Sequence, residues 1–178
     1  MSCYSQPQPY RMHNVVHFSS QYTQAEKNVV LGGLNLWNEE TGGRITFVEG
    51  DNPNIEIVKG TEAEAAAEDA FFNAHLKPGE TPEHVIGLSN VNQEGSINFL
   101  TLYYVRMPDD PVYIAQVAAH EGGHQIGMIH VPQNETALMN PSFNLDLYGN
   151  DHLTHYDIDQ FCQYWGCVDG NPRKPIKD

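Results

Sequence analysis

Basic residues are scarce in this chain of 178 residues: 9 Lys and Arg stand against 23 Asp and Glu, a formal net charge of −14. That balance excludes a phosphate-gripping surface for nucleic acid and opposes docking on anionic membranes. Solubility is its plainest use, with steering of cationic substrates as a second. No apolar run approaches the ~20 residues that a membrane-spanning helix requires. Residues 1–9 are polar and lack the apolar stretch of a secretory signal. Cysteine is sparse too, with only Cys3, Cys162 and Cys167. At most one intrachain bridge can form, with one thiol left over. None of the three stands at metal-ligand spacing from another Cys or His. Three free thiols, a Cys162–Cys167 bridge (which needs a helix to end between them) and Cys3 paired with either partner all remain open. No internal repeat is visible. Length and a hydrophobic fraction of 40% fit one domain with its own core.

Periodicity predicts the elements. His13 to Ser19 reads as a strand. Thr23 with Glu26 three residues on forms a capping box, and Val30, Leu31, Leu34 and Trp37 recur at helical spacing, so a helix is expected over 24–40, stopped by Gly42-Gly43. Arg44 to Glu49 and Asn54 to Lys59 alternate as strands. Residues 61–75 favour helix by propensity. A Pro-rich loop over 77–83 precedes two further strands, 85–91 and 96–105. Asp109 or Asp110 can cap a helix with Pro111 in its first turn, burying Ile114, Val117, Ala118 and Ile126. A last helix is expected over 156–165, with Thr154 and Asp157 at capping spacing and Gly166 as the stop. The final residues, 169–178, read as a loosely held tail. Strands mixed with helices in this order imply an α+β domain: a mixed sheet with a helix packed on it.

The chemistry is concentrated in His120-Glu121-Gly122-Gly123-His124-Gln125-Ile126-Gly127-Met128-Ile129-His130, which has the spacing HExxHxxGxxH. Helix residues four apart share one face, so His120 and His124 can offer imidazoles to one ion. Glu121 sits beside the first ligand and can take a proton from a metal-bound water. Gly127 lets the chain leave the helix sharply, returning His130 as a third ligand. Three histidines leave a fourth zinc position open, which marks a catalytic rather than a structural site.

The motif places the chain among the metzincin metalloproteases, and later residues narrow the likeness. Ala137-Leu138-Met139-Asn140-Pro141-Ser142-Phe143 resembles the Met-turn of the matrixins, the matrix-metalloprotease family. Residues 153–166 resemble that family's closing helix, and 33–47 its first helix and following strand. The likeness covers most of 13–166. It implies a metzincin fold: a twisted mixed five-stranded sheet with a backing helix and an active-site helix, then a smaller, mostly irregular C-terminal subdomain ending in a helix. The corresponding divisions are a leader at 1–12, an upper subdomain at 13–127, a lower one at 128–168 and a flexible tail at 169–178.

The resemblance also implies a monomeric, secreted zinc endopeptidase acting on proteins or peptides, with Glu121 as the base. Met139 would form the floor under the zinc. Val117, Pro141, Ser142 and Phe143 would line an apolar specificity pocket, and the strand at 85–91 would be the edge that pairs with extended substrate. Val131 stands where many relatives carry a small hydroxyl residue. Pro141 stands two residues after Met139, where other metzincins place a tyrosine. The structural-zinc loop and acidic calcium segment of vertebrate members are missing: His75 and His84 stand apart and are assigned no metal. These departures point to a minimal, microbial relative. Calcium is left to the oxygen-rich stretch Asn144 to Asp151, for which a solvated loop is the plainer reading. In matrixins a propeptide thiolate can block the zinc. Cys3 lacks the surrounding motif, and the resemblance favours instead a disulfide from Cys3 to the closing helix. Two other readings stand beside the enzyme: a non-catalytic zinc module that grips peptides, and a structural site closed by His152 or His155.

Overall fold

A computed structural model describes residues 10–79, 82, 84–92, 97–132, 135–141 and 152–176. The elements run β1 (His13–Phe18), α1 (Gln24–Glu40), β2 (Thr46–Glu49), β3 (Ile55–Lys59), α2 (Glu62–Asn73), β4 (Gly87–Asn90), β5 (Asn98–Leu102), a 3-10 turn (Tyr104–Arg106), α3 (Pro111–Gln125) and α4 (His155–Trp165). The five strands form one mixed sheet in the order β2-β1-β3-β5-β4. Strands β1, β2, β3 and β5 run parallel, and β4 lies antiparallel to β5 at the edge. A parallel neighbour needs a crossover, and α1 supplies it between β1 and β2. This is the α+β architecture expected from the sequence.

Helix boundaries follow local chemistry. Thr23 caps α1: its N–H donates to the Glu26 carboxylate at 2.8 Å while its hydroxyl oxygen accepts from the Glu26 N–H at 3.3 Å. Thr61 and Glu64 repeat the device on α2. Asp110 accepts from the Val112 N–H at 2.9 Å and Pro111 opens α3. One face of the sheet packs under α1 and α3 through Val16, Leu34, Ile57, Leu100, Val117 and Ala118. A second core joins the end of α1 to the segment after α3 and to α4, through Trp37, Ile126, Met128, Met139, Leu153 and Phe161. Apolar burial on this scale is the main stabilising contribution in both.

Three expectations need correction. The strand read from Arg44 begins at Thr46, because the Ile45 N–H donates to the Thr41 hydroxyl at 3.2 Å and the Ile45 carbonyl accepts from the Asn38 amide at 2.9 Å, while the Arg44 guanidinium donates to the Trp165, Gly166 and Pro172 carbonyls, each at 2.9 Å. The strand read over 96–105 ends at Leu102, where the chain tightens so that Arg106 can pair with Glu62 at 2.7 Å and Asp69 at 2.8 Å, tying α2 to the sheet. The tail is not loose over 169–176. Besides Arg44, Arg173 donates to the Glu39 carbonyl at 3.0 Å, and Val168 bridges Asn171.

Cys162 is bonded to Cys167, with Cα atoms 4.9 Å apart, because α4 stops at Trp165 and Gly166 turns the chain back. A bridge from Cys3 to the closing helix is therefore excluded by the occupied partners. Cys3 itself, with the rest of 1–9, lies outside the described residues, as do Ser142, Phe143 and the stretch Asn144 to Asp151.

Candidate metal centre

Helix α3 carries His120 and His124 on one face, and the chain leaves it at once. Gly127 has φ +94°, a left-handed conformation that other residues resist, and the turn it makes brings His130 back. The three imidazoles converge. The Nε2 atoms of His120 and His130 are 3.3 Å apart, and those of His124 and His130 are 3.1 Å apart. Among the described residues these three form the one cluster whose ligand atoms lie close enough to share an ion, all within 4.8 Å.

The tautomers decide what this cluster is. His120 Nδ1 lies 2.7 Å from the Leu138 carbonyl and His124 Nδ1 lies 2.8 Å from the Met128 carbonyl. A carbonyl only accepts, so each Nδ1 carries the proton and each Nε2 presents a lone pair. Lone pairs pointed together repel unless a cation lies between them. Two nitrogens bound at 2.0–2.1 Å to a tetrahedral zinc stand about 3.3 Å apart. Both the donor set and its spacing fit that ion.

Glu121 is only 6% exposed. Its carboxylate lies against β4 at Gly87, where an added Cβ would come within 2.6 Å of Oε1. Ser89 on the same strand donates its hydroxyl to the Glu121 carbonyl at 2.7 Å. The putting together of motif helix and edge strand thus sets the carboxyl beside the sheet edge. Burial pushes the Glu121 carboxyl up to about 8. Burial, with the neighbouring imidazoles, holds His120 down to about 3, and burial holds His124 down to about 4.

These shifts predict how metal-free stability depends on pH. The two histidines contribute stability that is present above their unfolded value of about 6.5 and lost as pH falls toward their folded values. Glu121 works the other way: its contribution is present below about 4.5 and lost as pH rises through about 8. Between about 4.5 and 6.5 two groups outweigh one, and above 6.5 Glu121 acts alone. Urea midpoints of chelator-treated protein should therefore peak near pH ~6.5. A midpoint that climbs steadily from pH ~5 to ~8 would contradict this balance.

Met139 lies directly under the motif helix: a Cβ on Gly123 would come within 2.4 Å of its sulfur. The turn that carries it is pinned by Asp157 of α4, a buried carboxylate that accepts from the Leu138 and Met139 N–H groups at 3.0 Å each. The sequence reading assigned Asp157 only to helix capping. Its second role links residues 18 and 19 positions apart and has no local sequence pattern. Ser89 and Gly87 were likewise read only as strand residues. Val131 is buried in the second core and its N–H donates to the Met139 carbonyl at 2.7 Å, so an apolar side chain suits this position. Val117 is packed in the core between the sheet, α1 and α3, and Pro141 is exposed at the end of the described turn. His152 and His155 do not join the donor set: His152 Nδ1 lies 3.1 Å from Glu40, and His155 lies against Tyr156.

A mixed sheet backed by helices, with three imidazoles and one buried carboxyl gathered at its edge, is the arrangement of a metzincin metalloprotease domain. The family model of the matrixins matches residues 9–166, and the chain belongs to that family, whose members are zinc metalloproteases. No curated protein matches the chain. No helix among the described residues is long and apolar enough to cross a membrane.

Proposed function

We propose that this protein is a secreted, monomeric zinc endopeptidase that cuts internal peptide bonds of extended substrates. One observation carries the reading: three imidazole Nε2 atoms, those of His120 and His124 unprotonated, converge beside a buried carboxyl at the edge of a sheet. His120, His124 and His130 would hold the ion. When bound, zinc supplies Lewis acidity that acidifies a water and polarises the scissile carbonyl.

The chain's own groups do the rest. Strand β4 is the edge strand of the sheet among the described residues, and its outward main-chain groups offer hydrogen bonds to an extended peptide without regard to sequence. Glu121 lies beside that edge, takes the proton of the attacking water and returns it to the leaving amine. The Nδ1 hydrogen bonds of His120 and His124 hold their rings in place and increase their basicity. Met139 serves as the floor. Val117, Pro141, Ser142 and Phe143 are proposed for the pocket that takes the residue just after the cut bond, with a preference for apolar side chains.

Mass-spectrometric profiling of a peptide library tests the reading. Cleavage at internal bonds is expected, abolished by a chelator, restored by zinc and insensitive to serine-directed reagents. The same cuts at the same rate in excess chelator would refute it. No cleavage by zinc-loaded protein would favour a peptide-gripping module instead.

A further inference from the structure

We infer that Gln160 on α4 is a positioning residue for the metal centre, acting through the backbone of Ile129; the inference rests on the zinc reading above. His130 hangs from a turn rather than a helix, so the backbone before it needs a restraint of its own. Ile129 cannot supply one by packing, because it is 70% exposed. Its peptide groups are held instead. The Gln160 Oε1 accepts from the Ile129 N–H, and Gln160 Nε2 donates to the Ile129 carbonyl at 3.0 Å. A primary carboxamide matches a peptide's donor and acceptor together, as a neighbouring strand would.

Each bond fixes a different peptide plane. The Ile129 carbonyl belongs to the plane that ends at the His130 nitrogen, so holding it sets where the His130 side chain begins. The Ile129 N–H shares its plane with the Met128 carbonyl, which accepts from His124 Nδ1 at 2.8 Å. A continuous path therefore runs from the His124 ring through the 128–129 peptide to Gln160. One carboxamide thus acts on two of the three imidazoles. Neighbouring residues of α4 hold adjoining parts of the site: Asp157 binds the Met-turn and the Trp165 Nε1–H donates to the Ile126 carbonyl at 3.0 Å. Gln160 completes that contact surface at the turn bearing the third histidine.

Outer partners of metal-binding histidines typically govern affinity by 10–100-fold. Gln160→Met keeps the length and loses both hydrogen bonds. It is expected to raise the zinc dissociation constant, read by competition with a chromophoric chelator, by about tenfold or more. It should also change the visible spectrum of the cobalt-substituted protein, while the urea midpoint of the metal-free protein stays at the parent's value. Gln160→Glu keeps the acceptor alone and should fall between the two. If the parent binds zinc and Gln160→Met binds it within about twofold as tightly, the inference is overturned while the zinc reading stands. A loss of affinity matched by an equal loss of metal-free stability overturns it as well, by making Gln160 a structural residue. A parent that binds no zinc overturns the zinc reading and this inference together.

Discussion

Glu121→Ala protein is expected to retain its zinc and to lose nearly all peptide-bond hydrolysis. General-base catalysis contributes about 10²- to 10⁴-fold, so kcat should fall by that range. Retention of metal follows from the geometry. Glu121 is absent from the cluster of converging ligand atoms, and alanine is the best helix former, so His120 and His124 stay on their shared face. Zinc content by elemental mass spectrometry and turnover of a fluorogenic peptide check both halves. His124→Ala is the contrasting variant, since it removes a donor and should lose metal and turnover together. The same Glu121→Ala substitution should also remove the fall in metal-free stability above pH ~6.5, because the group responsible is gone. A variant that cleaves as fast as the parent would show that another residue moves the proton.

Asp157→Ala should be strongly destabilising. The carboxylate is 0% exposed and accepts four hydrogen bonds: from the Leu138 and Met139 N–H groups at 3.0 Å, the Thr154 N–H at 2.9 Å and the Thr154 hydroxyl at 2.8 Å. Alanine strands all four donors. Each buried donor left without an acceptor costs about 1–3 kcal/mol, and entering water offsets part of the sum, which leaves a loss of about 3–5 kcal/mol. The consequence reaches the metal centre, because the Leu138 carbonyl accepts from His120 Nδ1. Urea unfolding measures the first effect and chelator competition the second. A loss below about 1 kcal/mol would mean that solvent already satisfies these donors.

Elements with a local cause were legible. Helix α1 was readable at about its observed bounds because a capping box opens it and paired glycines follow it. Helix α3 declared itself through Asp110, Pro111 and the histidine spacing, and Gly127 adopts the positive φ that the turn to His130 demands. The strands at 44–49 and 96–105 were read too long, since alternation does not show that Asn38 and Thr41 engage the Ile45 backbone or that the chain turns at Tyr104–Arg106. The tail at 169–178 has the composition of a loose end and no periodicity, yet Arg44 and Arg173 hold its described part against the body. The disulfide was open between three arrangements until the end of α4 and the turn at Gly166 brought Cys162 and Cys167 together.

By itself the chain determined which residues could share a face: a side chain's position on a helix depends only on spacing, so His120 and His124 were paired before any fold was known. It also placed each helix to within a residue or two, because caps act within four residues. Only the tertiary structure decided that β4 lies at the edge beside Glu121, that Asp157 holds the Met-turn, and that Gln160 grips Ile129. These contacts join segments far apart in sequence. Their partners meet through the packing of two cores, and no local preference along the chain encodes which buried donor will face which acceptor.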